Sequence, residues 1–337
     1  MHDYKKIEPL FIGGCPRSGT TMLGVQVAAH PRCFTTPESH FVFQLIQLEL
    51  KKGNVLWGEF VAVIERHTFF ATWEITPDWD SYADAYEVID IADGIRWLVW
   101  QYHQSKYSDK TNILRWVDHT PENVLHSHEL LKLFPNAQFI HLKRDGRACF
   151  ASVKDLNWGP NSPTMAANWW LKYVGMGDAT ARLYPERTIE IYYEDFVRQY
   201  PDALKSILEQ VGLPLISANP ESEDHSLPSD LLDYQHSLVS KKPDPSRLDS
   251  WRQDLKNVEI VRFEATANNL LKLNGYVPVA PYEPEIPLAS VDCYLWEFFV
   301  LPFRLLSFGF VWRKYIARTY LRLLRKEQPK SRPGSLS

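Results

Sequence analysis

Cysteine is scarce in this chain. The four in 337 residues stand at positions 15, 33, 149 and 293, and no two form a C-x-x-C pair. That spacing supports neither a disulfide framework nor a cysteine-built zinc site, and it predicts reduced thiols in a cytosol-like compartment. A dominant sign of charge is missing too: 37 Lys and Arg face 41 Asp and Glu, a net charge of −4. A global attraction to nucleic acid is excluded, so any anion site has to be local. No internal repeat is visible. No apolar run is long enough for an ordinary spanning helix, since the most apolar stretch, 294–312, is broken by Glu297, Pro302 and Arg304. The first motif begins so soon after Met1 that no leader or N-terminal anchor is expected before it, which adds to the expectation of a cytoplasmic protein. Apolar and aromatic residues, by contrast, are abundant, at 45% hydrophobic with 12 Trp, 16 Tyr and 17 Phe. A sizeable core follows, with rings to spare for a substrate cleft.

The most informative stretch is Phe11-Ile12-Gly13-Gly14-Cys15-Pro16-Arg17-Ser18-Gly19-Thr20-Thr21. It reads as an apolar strand, a glycine-bounded loop and a helix opening on two threonines. Such a loop aims backbone N–H groups at one point, where the helix dipole adds partial positive charge, and a phosphate or sulfate fits there. The spacing from Gly14 to Thr21 is that of a nucleotide-binding P-loop, with Thr20 in place of the usual lysine and Arg17 as the basic residue of the loop. The sequence predicts a phosphate-like anion held without ordinary ATP hydrolysis.

Periodicity places strands at 8–13, 34–36, 115–119, 138–143 and 188–192. Helices are expected at 20–29, 40–50, 86–106, 123–134, 145–156, 164–183, 201–211 and 253–274. Strands alternating with helices predict an α/β fold, a mostly parallel sheet covered on both faces. The Trp- and Phe-rich 53–84 reads as a less regular lid or substrate-facing insertion, and 214–250 as loops. The second chemical signal is His141-Leu142-Lys143-Arg144-Asp145-Gly146-Arg147-Ala148, with Ser152 eight positions after Arg144. A guanidinium at a strand tip can grip a phosphate bidentately and a hydroxyl can add a bond, although Arg144 could equally pair with Asp145 or cap the sheet edge.

Taken together, these signals resemble the sulfotransferases that use 3′-phosphoadenosine-5′-phosphosulfate (PAPS), with a P-R-S-G-T-T loop and an R-D-G-R-A strand–helix unit. The resemblance covers about residues 8–275. Ile191-Tyr192-Tyr193-Glu194-Asp195-Phe196 resembles that family's strand-end Y-E-D motif, and Leu213-Pro214 fits as well. The layout is closer to the tyrosylprotein and bacterial branch than to the phenol and steroid enzymes. The resemblance implies a P-loop-like sulfotransferase fold and PAPS as co-substrate, with no metal. It places Arg17, Ser18, Gly19, Thr20 and Thr21 around the phosphosulfate, Arg144 and Ser152 on the 3′-phosphate, and Tyr193 against the nucleotide. It makes Glu38 the general base, a role compatible with stabilising the N-terminus of the next helix. His119 stands where relatives commonly have a lysine before Thr-Pro. It could donate to the leaving oxygen, act as the base itself, or be a histidine satisfied at a strand end. Lys241 and Lys242 fall where relatives place a basic loop over the nucleotide, or form a solvated loop. His126 and His128, two apart on a helix, are not expected to share a metal.

The implied organisation is a sulfotransferase domain at 1–277, a linker at 278–290, an amphipathic basic and aromatic helical tail at 291–326, and a disordered end at 327–337. The tail could lie on an anionic membrane surface as a peripheral contact, or pack on the domain or on a second copy. The expected acceptor carries a hydroxyl, as a glycan, a glycolipid or a peptide tyrosine. Two other readings stay open, a P-loop nucleotide kinase or NTPase and a non-catalytic nucleotide-binding adaptor.

Overall fold

The computed structural model describes residues 4–82, 88–108, 110–156, 158–213 and 244–279. Along the chain, β1 (Glu8–Gly14) leads to α1 (Thr20–Ala28) and β2 (Cys33–Thr35) to α2 (Phe41–Lys52). A small antiparallel pair, β3 (Val55–Leu56) with β4 (Val88–Ile89), brackets α3 (Trp57–Arg66). There follow α4 (Ile91–Lys106), β5 (Arg115–Asp118), α5 (Ser127–Leu133), β6 (Gln138–Lys143), α6 (Gly146–Val153) and α7 (Pro163–Leu183). Then come β7 (Thr188–Tyr192), α8 (Tyr193–Arg198), α9 (Asp202–Gln210), α10 (Trp251–Asp254) and α11 (Asn257–Leu273).

The main sheet has the order β2-β5-β1-β6-β7, and every pairing in it is parallel. Central β1 shows why. Leu10 and Ile12 point to one face, into a cluster with Leu23, Val27, Val117, Ile140 and Phe196. Phe11 points to the other, against Trp116, Phe134 and Phe139, in a cluster that also holds Trp170. A strand apolar on both faces has to be covered twice, which is the pattern of a buried parallel sheet. Helices α1 and α9 cover the first face and α7 the second, with α11 outside α7.

Several boundaries differ from the sequence expectation, each for a local reason. The helix expected at 86–106 begins only at Ile91. Asp90 caps it by accepting from the Asp93 N–H at 3.0 Å, and Val88–Ile89 are spent on the pairing with β3. The helix expected at 123–134 is divided into a 3₁₀ turn, Pro121–His126, and α5. Asn123 pins that turn by donating to the carbonyls of Ile12 and Asp118, at 3.3 and 3.1 Å. Extended backbone at Leu255 and Lys256 divides the helix expected at 253–274. Of the 53–84 region, residues 53–82 are described and are more regular than expected: α3 and two 3₁₀ turns form there, and Trp57, Trp79 and Tyr82 pack with Trp97 of α4 in one aromatic cluster. Residues 214–243, with Lys241 and Lys242, and 280–337, with the tail, lie outside the described residues. Among the described residues, no helix is long and apolar enough to cross a membrane.

The seat of α7 on the sheet makes a paired prediction. A Cβ at Gly177 would meet the buried His141 ring at 2.2 Å, whereas one at Gly175 would meet nothing within 4 Å. Gly175→Ala should stabilise by about 0.5–1 kcal/mol through helix propensity. Gly177→Ala should destabilise by about 1–3 kcal/mol, because overpacking outweighs that gain. Thermal melts of the two variants moving in the same direction would contradict this packing.

Candidate functional site

Each strand of the main sheet delivers one predicted residue at or just past its C-terminal end: Arg17 after β1, Glu38 after β2, His119 after β5, Arg144 after β6 and Tyr193 after β7. The carboxyl edge of an open parallel sheet is where α/β folds bind ligands. The loop between β1 and α1 is shaped for an anion. Gly19 is the N-cap of α1 at φ 101°, a left-handed value that suits glycine, and no side chain caps the helix. The first-turn amides of Thr20, Thr21 and Met22 are therefore left to an external acceptor. The Ser18 hydroxyl is buried and has no hydrogen-bond partner. Arg17 itself is left-handed, with φ 72°. For a non-glycine residue this costs about 1–2 kcal/mol, so its neighbours must hold it there.

Those neighbours are the second motif. Arg144 Nη1 donates to the Arg17 carbonyl at 2.8 Å, and the Arg17 Nε–H donates to Ser152 Oγ at 3.0 Å. The Arg144 guanidinium lies 4.3 Å from the centroid of the Tyr193 ring. The same ring closes on the loop, where a Cβ on Gly19 would meet it at 2.7 Å. Arg17, Arg144, Ser152 and Tyr193 thus share one place. Burial, and then the charge of Arg144, lower the Arg17 pKa, with Glu38 among the groups pulling the other way. Two guanidiniums so arranged favour an anion between them. Arg144 does not pair with Asp145. Arg147 takes that carboxylate, at 2.7 Å, and bonds Glu264 as well.

Glu38 and His119 reach this edge by different routes. The Glu38 carbonyl accepts from Trp73 Nε1 at 3.3 Å, so the aromatic insertion packs onto the Glu38 segment. Glu38 Oε2 lies 2.8 Å from His40 Nε2. Next to it, the Ser39 N–H donates to Thr120 Oγ1 at 2.8 Å and the Ser39 hydroxyl bonds Asp118, locking the ends of β2 and β5 together. His119 is buried, with its ring on Gly24 of α1, where a Cβ would meet the ring at 2.9 Å. Both His119 ring nitrogens are buried and have no hydrogen-bond partner.

The sequence profile of the sulfotransferase family matches residues 9–217, more than half of the chain. The chain belongs to the sulfotransferase family. It is 23% identical over 292 residues to a protein-tyrosine sulfotransferase of Drosophila melanogaster, a match covering 83% of this chain and 54% of that protein. It is 25% identical over 217 residues to protein-tyrosine sulfotransferase 2 of Gallus gallus, covering 62% of this chain and 53% of the other. The chain thus spans about half the length of these curated relatives, and 26% of an uncharacterised Aquifex aeolicus protein that it also matches. Among solved structures it resembles the sulfotransferase domain of the Synechococcus PCC 7002 olefin synthase. The TM-score is 0.57 at 23% identity, over 83% of this chain and 98% of that domain. That likeness is one of fold.

Within this sulfotransferase fold, some site residues were not predicted from the sequence. Glu194 holds the β6 tip: it accepts from the Asp145 N–H at 3.0 Å and from the Tyr276 hydroxyl at 3.2 Å. Burial raises its pKa, against the pull of the Asp145 hydrogen bond. His40 and Glu122 were missed as well, because their chain separation gives no motif. Among the described residues, His141, Asp178 and Glu190 form a group whose ligand atoms could hold a metal ion. Lys143 Nζ already serves it as a cation, 2.9 Å from Asp178 and also paired with Glu190. Burial opposes the Lys143 charge, but the two carboxylates outweigh it and raise its pKa.

Proposed function

We propose that the protein transfers a sulfuryl group from PAPS to an acceptor hydroxyl. The observation that carries this reading is the Arg17–Ser152 hydrogen bond, which joins the anion loop after β1 to the helix after β6. One donor molecule with charge at both ends can touch both elements. Arg17, Ser18, Gly19, Thr20 and Thr21 would surround its phosphosulfate, Arg144 and Ser152 would hold its 3′-phosphate, and Tyr193 would lie against the nucleotide. The partnerless Ser18 hydroxyl, the uncapped start of α1 and the paired guanidiniums support that fit.

The transfer needs little covalent help from the protein. The bond from the acceptor oxygen to sulfur forms as the bond from sulfur to the phosphate oxygen breaks, so positioning and electrostatics dominate. Glu38 takes the acceptor's proton. Arg17, with an N–H of His119, meets the charge that grows on the leaving phosphate. This chemistry requires no metal. The acceptor is a hydroxyl on a peptide tyrosine, a glycan or a glycolipid, and the names of the fly and chicken relatives support trying tyrosine first. A cytoplasmic setting belongs to the same proposal, together with peripheral membrane contact or dimerisation through 291–326.

The test is a transfer assay with sulfate-labelled PAPS and the purified full chain, run without added divalent metal against tyrosine peptides, glycans and glycolipids. Label should appear on one class, with equimolar release of adenosine 3′,5′-bisphosphate. Tight bisphosphate binding with no transfer to any acceptor would point to a non-catalytic binder. Magnesium-dependent ATP turnover would point to a kinase or NTPase.

A further inference from the structure

Two residues apart in sequence, Glu38 and His40 meet through their side chains, and a third group from a distant segment completes the arrangement. His40 Nε2 is 2.8 Å from Glu38 Oε2, and His40 Nδ1 is 3.7 Å from Glu122 Oε2. Glu122 belongs to the 3₁₀ turn after β5, and its other oxygen accepts from the Tyr173 hydroxyl at 3.3 Å. The imidazole therefore has a carboxylate at each nitrogen. Packing fixes the plane of the ring: Phe69 lies 4.1 Å away between centroids, Phe43 meets it edge-on at 6.2 Å and His67 stacks at 6.5 Å.

We propose that His40, held between Glu38 and Glu122, is a positioning residue of the transfer site that orients the Glu38 carboxylate and sets the charge beside it. The inference rests on Glu38 being the base. Only Glu38 is within hydrogen-bond reach of the ring; Glu122, at 3.7 Å and with Oε2 bonded to nothing else, acts on the imidazole by charge, and both carboxylates favour the imidazolium. Burial opposes that charge, but the Glu38 hydrogen bond and the carboxylates of Glu38, Glu122 and Asp118 outweigh it, and the His40 pKa is raised. The stacked neighbour His67 does not compete as a cation, since burial and then the charge of His40 lower it to about 4. An imidazolium alone would make Glu38 a weaker base. Glu122 behind the ring offsets part of that charge, so Glu38 is oriented while losing only part of its affinity for the acceptor's proton. Burial raises the Glu122 pKa and the charge of Glu38 adds to the rise, while the charge of His40 pulls it down.

Two substitutions separate orientation from charge. His40→Ala removes both, and kcat should fall roughly 10- to 100-fold with KM for PAPS unchanged, as expected for a misplaced base. His40→Gln keeps a neutral donor, so part of kcat returns. Without the cation the Glu38 carboxylate binds its proton more readily, and the acid limb of the kcat profile moves up by about 1 pH unit. A residue that merely packs would not move that limb. Independently of turnover, the His40 imidazole should titrate by NMR above an ordinary histidine in the wild-type chain, and its midpoint should fall in both Glu38→Gln and Glu122→Gln. An active wild type whose His40→Gln variant keeps both kcat and acid limb would overturn the inference alone. So would a His40 midpoint indifferent to Glu122→Gln. A wild type that transfers no sulfuryl group would instead remove the base from the account, and with it the role given to His40, while the NMR titration still reported whether the three side chains are coupled.

Discussion

Glu38→Gln is expected to cut kcat by about 10²- to 10⁴-fold, the usual contribution of a general base. The amide has the shape of the carboxylate and can still accept from His40, so the segment between β2 and α2 should keep its place. Its other anchors are backbone and neighbour contacts that the substitution leaves alone: the Trp73 indole on the residue 38 carbonyl, and Ser39 locked to Thr120 and Asp118. Nucleotide affinity should hardly change, because the groups proposed to grip the donor sit on the loop after β1 and on the β6–α6 unit. Steady-state kinetics would show the loss in kcat with KM for PAPS within a few-fold of wild type. A fully active Glu38→Gln would move the base elsewhere, and His119, with two partnerless ring nitrogens, would be the next residue to test.

Arg144→Ala is expected to weaken binding of adenosine 3′,5′-bisphosphate by roughly 10- to 100-fold, the scale of one lost charge-assisted hydrogen-bond pair. Two effects add. The variant loses the guanidinium proposed for the 3′-phosphate, and it loses the donor that holds the Arg17 carbonyl while Arg17 stands in a left-handed conformation. The fold should survive. The β6 tip stays anchored by the Trp170 indole on the residue 144 carbonyl, at 2.9 Å, and by Glu194 on the Asp145 N–H. Asp145 also keeps its ion pair with Arg147.

The parts of this protein that were legible in its sequence are those fixed by local pattern. Leu10-Phe11-Ile12 is apolar on both faces and needs a sheet covered on both sides. Gly14 to Thr21 carries its own turn and helix start. Arg144 and Ser152 lie on one strand–helix unit, so their separation along the chain survives folding. What was not legible depends on partners far apart in sequence. That Arg147, and not Arg144, would take Asp145 depends on Glu264, 117 residues further on. That His40 would sit between two carboxylates depends on Glu122, which a 3₁₀ turn brings across from β5. The expected 123–134 helix failed for the same reason. Its pattern is helical, but Asn123 is occupied by carbonyls of β1 and β5. Aromatic abundance in 53–84 suggested an irregular cover, because composition does not reveal that Trp57 and Trp79 would pack on each other and on Trp97 of the following helix, α4.

In the proposed complex one nucleotide touches both the loop after β1 and the tip of β6. Calorimetric titration of the wild-type and Arg144→Ala chains with adenosine 3′,5′-bisphosphate and with adenosine 5′-monophosphate tests it most directly. The wild type should bind the bisphosphate roughly 10- to 100-fold more tightly than the monophosphate, and the gap should close in Arg144→Ala. Equal affinities in the wild type, or a gap that survives the substitution, would contradict it.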